Sequence, residues 1–523
     1  METPLTPLEF ARRSRMLHGW RDAVVDRNLR FTYAQFGDRC DRWSAALACL
    51  GVSKGDRVAT IAPNTHQHLE QFYAIPQLGA VIVPINYRLS ADDFVYVTAH
   101  SGAKVLCVHE DYLGLVDSVR ARMPQVQHFV ALEGTKDGWL SYESLLQAAN
   151  EPCEFPEILE TDLISINYTS GTTARPKGVM ITHRNAWTNS VGSLVHWPMT
   201  TSDRYLWTLP MFHANGWTFV WTVTAAGALH VCLRAVDAAG IYQQVRHERV
   251  THLCAAPTVL IGIANGPDDQ RRQLPRGVRV ITGGAPPAAA TIERLESELG
   301  WDVTHVYGLT ETSPFICICE PLPEHAELSN TARAMQKARQ GVELIPSGET
   351  RVVDADMRNV PWDGATMGEI VARGNVVMRG YYNDPEATAV AFAGGWFHSG
   401  DGAVVHPDGY IEIRDRFKDV IISGGENISS IEVEGVLLRH PAVLEVAVVG
   451  MPHEKWGESP HAFVILRGGA AVSEAELHDF ARAALAHFKV PTAFHFVSEL
   501  PKTATGKIQK FMLRGRRVAI MPQ

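Results

Sequence analysis

Short apolar runs rich in valine and isoleucine alternate with amphipathic segments along most of the chain. The run at residues 58–61 precedes a helical pattern over 68–78, and residues 80–84 follow as a second strand. The series continues with apolar runs at 105–108, 128–132, 163–167, 229–233 and 278–282. Strands that alternate with helices predict an α/β fold with largely parallel sheets, in which ligands bind beyond the carboxyl ends of strands.

The pattern changes from about residue 369. Segments 369–374 and 409–413 predict short strands with glycine turns, and therefore a small β subdomain. After the charged stretch 414–419 a new pattern begins, with a strand at 420–423, a helix at 430–439, a strand at 443–449 and a helix at 473–487. We expect an N-terminal domain of two α/β subdomains plus the small β subdomain (1–415) and a smaller α+β C-terminal domain (416–523).

Composition narrows the possible partners of the chain. Over 523 residues the formal charge is −9, which gives no support for a nucleic-acid or anionic-membrane partner. The most apolar stretch, 217–233, is too short and too interrupted by polar residues to span a bilayer. The N-terminal residues lack the apolar segment of a secretory signal, so no such signal is expected. We expect a cytoplasmic protein without integral membrane association.

The eight cysteines follow no framework spacing, so free thiols in a reducing compartment are expected. Cys317 and Cys319 alternate with apolar residues, and this pattern predicts a buried strand rather than a zinc site.

The strongest chemical signal is a polar loop directly after the apolar run 163–167. It reads Tyr168-Thr169-Ser170-Gly171-Thr172-Thr173-Ala174-Arg175-Pro176-Lys177-Gly178-Val179. Its hydroxyls, backbone N–H groups and ammonium are donors, whereas a phosphate chain offers only acceptors. It is not a Walker A motif, since Pro176 precedes Lys177 and Gly178 follows. Alone, such a cluster is equally consistent with a polar surface loop.

Five further motifs follow this loop in order. They are Thr282-Gly283-Gly284-Ala285-Pro286, Tyr307-Gly308-Leu309-Thr310-Glu311-Thr312, His398-Ser399-Gly400-Asp401, Asp415-Arg416-Phe417-Lys418-Asp419 and Pro501-Lys502-Thr503-Ala504-Thr505-Gly506-Lys507. Over nearly the whole chain this set resembles the adenylate-forming superfamily of acyl-CoA synthetases, firefly-luciferase-like enzymes and peptide-synthetase adenylation domains. The resemblance implies an acid–thiol ligase that uses ATP and Mg²⁺ to form an acyl-adenylate, releases pyrophosphate, and transfers the acyl group to coenzyme A.

The resemblance also implies nucleotide-binding roles for individual residues. The β- and γ-phosphates would be held by Thr169, Ser170, Gly171, Thr172, Thr173 and Lys177. Thr169 and Glu311 would hold Mg²⁺ directly or through water, and Thr310 would contact the α-phosphate. Asp401 would accept both ribose hydroxyls, with Arg416 assisting at the ribose or phosphate. Adenine and the acyl pocket would be framed by Gly284, Ala285, Val306, Tyr307 and Gly308.

Lys507 resembles the catalytic lysine of the family. The reaction brings two anions together, so a cation that bridges the substrate carboxylate and the α-phosphate meets its main electrostatic need. Lys418 corresponds to the hinge about which a mobile C-terminal domain rotates after adenylation. Rotation would withdraw Lys507 and bring Gly424 and Gly425 to the tunnel for the thiol of coenzyme A.

The segment Met211-Phe212-His213-Ala214-Asn215-Gly216-Trp217 resembles the part of the family in which the histidine gates access to the carboxylate. Phe212 and Trp217 favour an apolar chain or an aryl ring. Gly308 stands where acetate-specific members carry tryptophan, so a pocket longer than two carbons is implied. This region resembles medium-chain and aromatic acid ligases.

Alternatives remain open from sequence alone. Asp401 is otherwise a turn former, Glu311 a helix-start residue, His213 a packed imidazole and Lys507 a solvated ammonium. The acyl group could pass to a carrier protein or another acceptor, or the chain could be an inactive ATP-binding protein. The identity of the acid is not fixed by the sequence, and a homodimer is possible.

Overall fold

The computed structural model of the protein describes residues 2–149, 153–169, 175–416, 419–424, 426–503 and 507–515. Its strands are β1 (Asp22–Asp26), β2 (Leu29–Thr32), β3 (Arg57–Ile61), β4 (Val81–Ile85), β5 (Val105–Val108), β6 (His128–Ala131), β7 (Leu140–Ser141), β8 (Leu163–Thr169), β9 (Lys177–Thr182), β10 (Arg204–Leu206), β11 (Leu229–Val231), β12 (His252–Ala255), β13 (Arg279–Thr282), β14 (Asp302–Gly308), β15 (Phe315–Ile318), β16 (Val342–Glu343), β17 (Glu349–Val353), β18 (Gly368–Arg373), β19 (Gly380–Tyr381), β20 (Phe397–Val405), β21 (Ile411–Arg416), β22 (Ile421–Ser423), β23 (Glu426–Ile428), β24 (Val443–His453), β25 (Gly457–Leu466) and β26 (Ala493–Phe496).

The helices are α1 (Leu8–His18), α2 (Tyr33–Cys49), α3 (His66–Gln77), α4 (Ala91–Ser101), α5 (Leu113–Asp117), α6 (Tyr142–Ala148), α7 (His183–His196), α8 (Ala214–Trp217), α9 (Phe219–Ala226), α10 (Ala238–His247), α11 (Pro257–Asn265), α12 (Asp268–Arg271), α13 (Ala289–Arg294), α14 (Asn330–Lys337), α15 (Pro385–Ala391), α16 (Ser430–Leu437), α17 (Glu474–Ala484) and α18 (Lys510–Gly515). Among the described residues, no helix combines the length and the apolar composition needed to cross a bilayer.

Two large sheets form the body of the N-terminal domain. One has the strand order β16-β15-β14-β13-β12-β10-β11-β1-β2, and the other has the order β19-β9-β8-β4-β3-β5-β6-β7. Their central pairs are parallel, as in β12–β13–β14 and β5–β3–β4. Antiparallel pairs occur where β14 meets β15 and β8 meets β9. The expected α/β fold is confirmed, and one buried apolar cluster holds side chains of both sheets, for example Ile82 and Tyr205.

Local signals explain where the predicted elements begin. The helix expected at 68–78 is α3, which begins at His66 because the Thr65 side chain accepts a hydrogen bond from the backbone N–H of His68. The alternating segment around Cys317 is β15, and all four of its residues are buried. All eight cysteines, each in the described part of the chain, are free thiols.

The predicted β subdomain is a four-stranded antiparallel sheet in the order β17-β18-β20-β21. The C-terminal domain contains the sheet β23-β22-β25-β24, with β26 on β25. Apolar side chains of α16 and α17 pack on one face of this sheet, and Leu513 of α18 belongs to a second apolar cluster with Val449 and Phe463. The charged stretch after residue 413 is partly strand, because β21 continues to Arg416.

Candidate active site

The ends of a hairpin flank the polar loop. Thr169 ends β8 and Lys177 begins β9, and the two residues pair across the antiparallel ladder. The loop residues between them that the sequence singles out, Ser170, Gly171, Thr172 and Thr173, lie outside the described residues. The Lys177 ammonium lies 4.8 Å from the ring centre of Tyr381. The Lys177 ammonium, at the C-terminal end of this loop, is therefore held by the face of the Tyr381 ring.

Tyr381 links this hairpin to Glu311. The strand β19 pairs with β9, so that Tyr381 lies opposite Val179. Its hydroxyl donates to Oε1 of Glu311 at 2.9 Å, and the Glu311 carbonyl accepts from the N–H of Met378 at 2.8 Å. Glu311 and the adjacent Thr310 lie in a 3₁₀ turn that follows the carboxyl end of β14. Sequence analysis did not identify Tyr381.

The environment of Glu311 fits a divalent cation. Burial raises the pKa of its carboxyl above the ordinary value, while the Tyr381 hydrogen bond and the Arg416 charge oppose that shift. A carboxylate whose charge burial disfavours is stabilised by a hard cation, and carboxylate and hydroxyl oxygens are suitable ligands. The Glu311 carboxylate therefore fits the Mg²⁺ role that the resemblance implies, and the same role for Thr169 stays a prediction.

Asp401 is buried on β20 and makes two side-chain contacts. Its Oδ2 accepts from the Tyr307 hydroxyl at 2.8 Å, and its Oδ1 lies 3.1 Å from Nε of Arg416. Arg416 is its register partner on β21. Only 4% of Asp401 is exposed, so two donors hold this carboxylate in one orientation. The structure thus brings together three residues that the resemblance assigns to the nucleotide.

Lys507 lies in a loop that is closed at its base. Lys502 and Ile508 form a β-bridge, the N–H of Thr503 donates to the Lys507 carbonyl at 2.7 Å, and the N–H of Lys507 donates to Oγ1 of Thr503 at 3.1 Å. Burial, followed by the positive charge of Lys507, lowers the pKa of His213 to about 4. With this lowered pKa, His213 is neutral at pH 7.

The segment after His213 is a left-handed turn. Along α8 and the next residue, φ is +46° at Ala214, +55° at Asn215, +56° at Gly216, +54° at Trp217 and +66° at Thr218. Non-glycine residues rarely adopt this conformation, and such strain concentrates at functional sites. Gly216 is required for a further reason, since a Cβ there would lie 2.5 Å from the Trp207 ring.

Buried amides hold this turn in place. Nδ2 of Asn167 donates to Oδ1 of Asn215 at 3.0 Å, and Nδ2 of Asn215 donates to Oγ of Ser165 at 2.8 Å. Ser165 and Asn167 belong to β8, the strand that leads into the polar loop. The left-handed turn after His213 and the strand that leads into the polar loop are therefore connected through buried hydrogen bonds.

Two pairs of aromatic rings include residues predicted to line the acyl pocket. The Trp217 ring lies edge-on to Phe315 at 5.6 Å between centroids, and Phe212 lies edge-on to Tyr87 at 5.3 Å. A Cβ at Gly284 would lie 3.6 Å from the Trp217 indole, which shows how close the indole is to that glycine. Val306 is buried behind them, and Ala285 is partly exposed. Gly284 therefore lies beside Trp217, and the acyl-pocket role of both residues stays a prediction.

Gly308 has a structural requirement that the sequence did not reveal. A Cβ at this position would lie 1.8 Å from the Pro314 carbonyl oxygen. The backbone here admits no side chain without rearrangement. Gly308 is therefore needed for backbone approach, whatever it contributes to pocket length.

The C-terminal turn has its own aromatic neighbour. Gly424 has φ +60°, its N–H donates to the Trp456 carbonyl at 2.8 Å, and a Cβ there would lie 2.8 Å from the Trp456 ring. Gly425 and the expected hinge Lys418 lie outside the described residues. Their roles stay predictions.

Comparison with known proteins gives the family. The model of the AMP-binding enzyme family matches residues 11–382, and the model of the AMP-binding enzyme C-terminal domain matches residues 432–507. The chain is 41% identical to a peroxisomal trans-cinnamate:CoA ligase of Petunia hybrida, covering 98% of this chain and 94% of the relative. It is 43% identical to 4-hydroxybutyrate–CoA ligase 2 of Metallosphaera sedula, covering 98% and 95%.

A solved structure agrees with this relationship. The crystal structure of the anthranilate CoA ligase AuaEII in complex with anthranoyl-AMP superposes with a TM-score of 0.89 at 27% identity, covering 98% of both chains. The chain therefore belongs to the AMP-binding enzyme family and is an adenylate-forming acyl-CoA synthetase, an acid–thiol ligase.

Proposed function

We propose that the acid substrate is a medium-chain or aromatic carboxylic acid, activated with ATP and transferred to coenzyme A. The observation that carries this proposal is the aromatic wall formed by Trp217 and Phe315 beside Gly284. Aromatic faces recognise aryl rings and apolar chains better than they recognise small polar acids. The relatives named for cinnamate and anthranilate act on aromatic acids, which agrees with the proposal.

In the adenylation step we assign the bridging role to Lys507. The substrate carboxylate attacks the α-phosphorus, a bond from carboxyl oxygen to phosphorus forms, and the bond to pyrophosphate breaks. Lys507 approaches from the C-terminal domain, and its ammonium offsets the charge of both reacting anions. His213, neutral at pH 7, adds no second positive charge and serves as the gate to the carboxylate.

We assign the nucleotide to the residues that the geometry groups together. Asp401 would accept the ribose hydroxyls, with its orientation set by Tyr307 and Arg416. Thr310 would contact the α-phosphate, and Lys177 would meet the outer phosphates. Thr169 and Glu311 would hold Mg²⁺, which supplies positive charge between the phosphate oxygens when bound.

The thioester step is assigned to a second orientation of the C-terminal domain. Lys418 would be the hinge, and rotation would replace Lys507 with the turn at Gly424 and Gly425, where glycines leave room for a slender thiol arm. The boundary at 415/416, a cytoplasmic location and a homodimer stay predictions.

The experiment is pyrophosphate release across an acid panel, with and without coenzyme A. The panel contains acetate, hexanoate, octanoate, benzoate, cinnamate and 4-hydroxybutyrate. We expect release and thioester formation with the aromatic or medium-chain acids, and little with acetate. Preference for acetate or 4-hydroxybutyrate would overturn the proposed acid class, and release without any thioester would point to a carrier protein or another acceptor.

A further inference from the structure

We propose that a buried polar network positions the Lys507 loop against the nucleotide-binding face, and that Asp415 is its central positioning residue. The members of this network, called here the Asp415 network, are Asp415, Ser430, Glu434 and Lys510. The inference rests on the proposed function, because it assigns the network to the adenylation half-reaction. None of these residues is assigned to contact the substrate.

Asp415 joins the small β sheet to the C-terminal domain. It is 3% exposed and occupies the penultimate position of β21. Its Oδ2 accepts from the N–H of Ser430 at 2.8 Å and from the Ser430 hydroxyl at 2.5 Å. Ser430 is the first residue of α16, so the carboxylate also meets the positive end of that helix. One buried side chain therefore fixes the start of α16 relative to β21.

Lys510 extends the network to the loop that carries the catalytic lysine. Its ammonium donates to the Ser430 hydroxyl oxygen and lies 2.7 Å from Oε1 of Glu434. Lys510 begins α18, three positions after Lys507. The Ser430 hydroxyl thus receives a hydrogen bond from Lys510 and donates its own proton to Asp415, so its donor and acceptor roles are compatible with both neighbours.

Glu434 is a buried carboxylate that stabilises Lys510 in its observed position. Its Oε1 also accepts from the N–H of Val448 at 2.7 Å. Burial raises the pKa of the Glu434 carboxyl, and the charge of Lys510 opposes that shift. If Lys510 moved away, a buried carboxylate would lose its counter-charge, which is costly. The Lys507 loop is therefore tied to α16.

The other end of the network reaches the ribose-binding carboxylate. Oδ1 of Asp415 accepts from the N–H of Arg416 at 2.9 Å, and Arg416 lies 3.1 Å from Asp401. A continuous series of contacts therefore runs from Asp401 through Arg416 and Asp415 to the base of the Lys507 loop. It joins the two halves of the adenylation site.

Packing beside Asp415 is incomplete, which gives these polar contacts more weight. A cavity of about 360 Å³ separates the small β sheet from the C-terminal domain at this point. Its lining includes Met367 and Arg414 on one side and Glu432 and Lys489 on the other. Beside this cavity, the directional hydrogen bonds from Ser430 to Asp415 therefore help to fix the orientation of the two parts.

The test compares Asp415→Asn and Lys510→Met with the control Lys489→Met. Lys489 forms an ion pair with Glu432 of α16 at 2.7 Å and, among the described residues, forms no hydrogen bond or ion pair with Asp415 or Lys510. A double variant, Lys510→Met with Glu434→Gln, removes the ammonium without leaving a buried uncompensated carboxylate. Thermal unfolding of each variant checks that it folds.

The first measurement is hydrogen exchange of the full-length protein without substrates. In Asp415→Asn an amide group meets the donors of Ser430 and Arg416, so we expect the protected amides of Thr503, Lys507 and Gln509 to exchange about tenfold faster or more. Lys510→Met and the double variant give the same result. In Lys489→Met we expect these three amides to exchange as in wild type. In every variant we expect the amides of the β24–β25 ladder to exchange as in wild type. Unchanged exchange at these three amides would overturn the inference.

The second measurement separates the half-reactions. We expect acyl-AMP formation to fall about tenfold in the network variants, while thioester formation from supplied acyl-AMP is retained or increased. Equal loss of both steps at unchanged thermal stability would also overturn the inference. If wild-type protein activates no acid of the panel although exchange responds as expected, the network stands and the proposed acid class fails.

Discussion

The hydroxyl of Tyr381 donates a hydrogen bond to Oε1 of Glu311 at 2.9 Å, across 70 positions of sequence. The same tyrosine ring lies against the ammonium of Lys177. One aromatic side chain therefore contacts both the root of the phosphate loop and the carboxylate proposed for Mg²⁺. Its hydroxyl favours the ionised form of Glu311, against the burial that favours the protonated form.

Tyr381→Phe is therefore expected to change the acid limb of the pH profile. The pKa of Glu311 is already raised by burial, and loss of the donor raises it further. Protonation then removes the carboxylate at a higher pH, so pyrophosphate release falls off at a higher pH than in wild type. More Mg²⁺ should shift the limb back, since the cation competes with the proton.

The control for this prediction is Tyr382→Phe. The Tyr382 ring packs against the His100 ring, with 5.9 Å between the two ring centroids, instead of contacting Glu311. We expect its profile to match wild type. An acid limb that stays in place in Tyr381→Phe, or moves to lower pH, would contradict the assignment.

Lys507→Ala is expected to remove adenylation while sparing the second step. Loss of a placed positive charge from a dry site reduces the rate by about 10²–10³-fold. Acyl-AMP supplied from outside needs no such charge, so thioester formation from it should persist. Rapid-quench assays of the two half-reactions measure the difference, and a parallel loss of both would refute the bridging role.

Lys418→Pro is expected to show the opposite separation. Proline fixes φ and would prevent rotation about the hinge, so adenylation continues while transfer to coenzyme A stops. Lys418→Ala, which leaves the backbone free, is the matched control and should retain both steps. Normal thioester formation by the proline variant would remove Lys418 as the hinge.

Gly308→Ala is expected to destabilise the fold by about 1–3 kcal/mol or more, because its Cβ would clash with the Pro314 carbonyl oxygen. Gly262→Ala is the control, since it lies on the exposed face of α11 with no neighbour within 4 Å of the added Cβ. That change should stabilise by about 0.5–1 kcal/mol. Thermal or denaturant unfolding measures both, and equal stability of the two variants would contradict the clash.

Much of the architecture follows from local pattern. Most strand runs of the N-terminal domain, the helix that becomes α3 and the buried β15 agree with the sequence prediction to within two residues, whereas β24 extends to His453, four residues beyond the strand predicted at 443–449. Some motif residues are also recognisable locally, because Gly284 and Thr310 follow strands, whereas Asp401 and Arg416 lie within strands. Asp401 and Arg416 then meet because they are register partners on adjacent strands.

The supporting contacts could not be predicted in this way. Tyr381 reaches Glu311, and Lys510 reaches Glu434, only after separate elements have packed. The left-handed turn at Ala214–Trp217 even opposes local preference, since Gly216 is its only glycine. Buried amides from another strand impose that conformation, and no short-range signal announces such a constraint.

In its proposed role as ribose acceptor, Asp401 would meet the nucleotide with its side chain already immobilised by Tyr307 and Arg416. The side-chain conformational entropy that a mobile aspartate would lose on binding a sugar is lost during folding instead. The Asp401 carboxylate would already be oriented to accept from both hydroxyls of a vicinal diol. A sugar without its 2′-hydroxyl would donate only one of these hydrogen bonds. With Asp401 as the proposed ribose acceptor, discrimination of ATP from dATP would be built into the enzyme before the nucleotide binds.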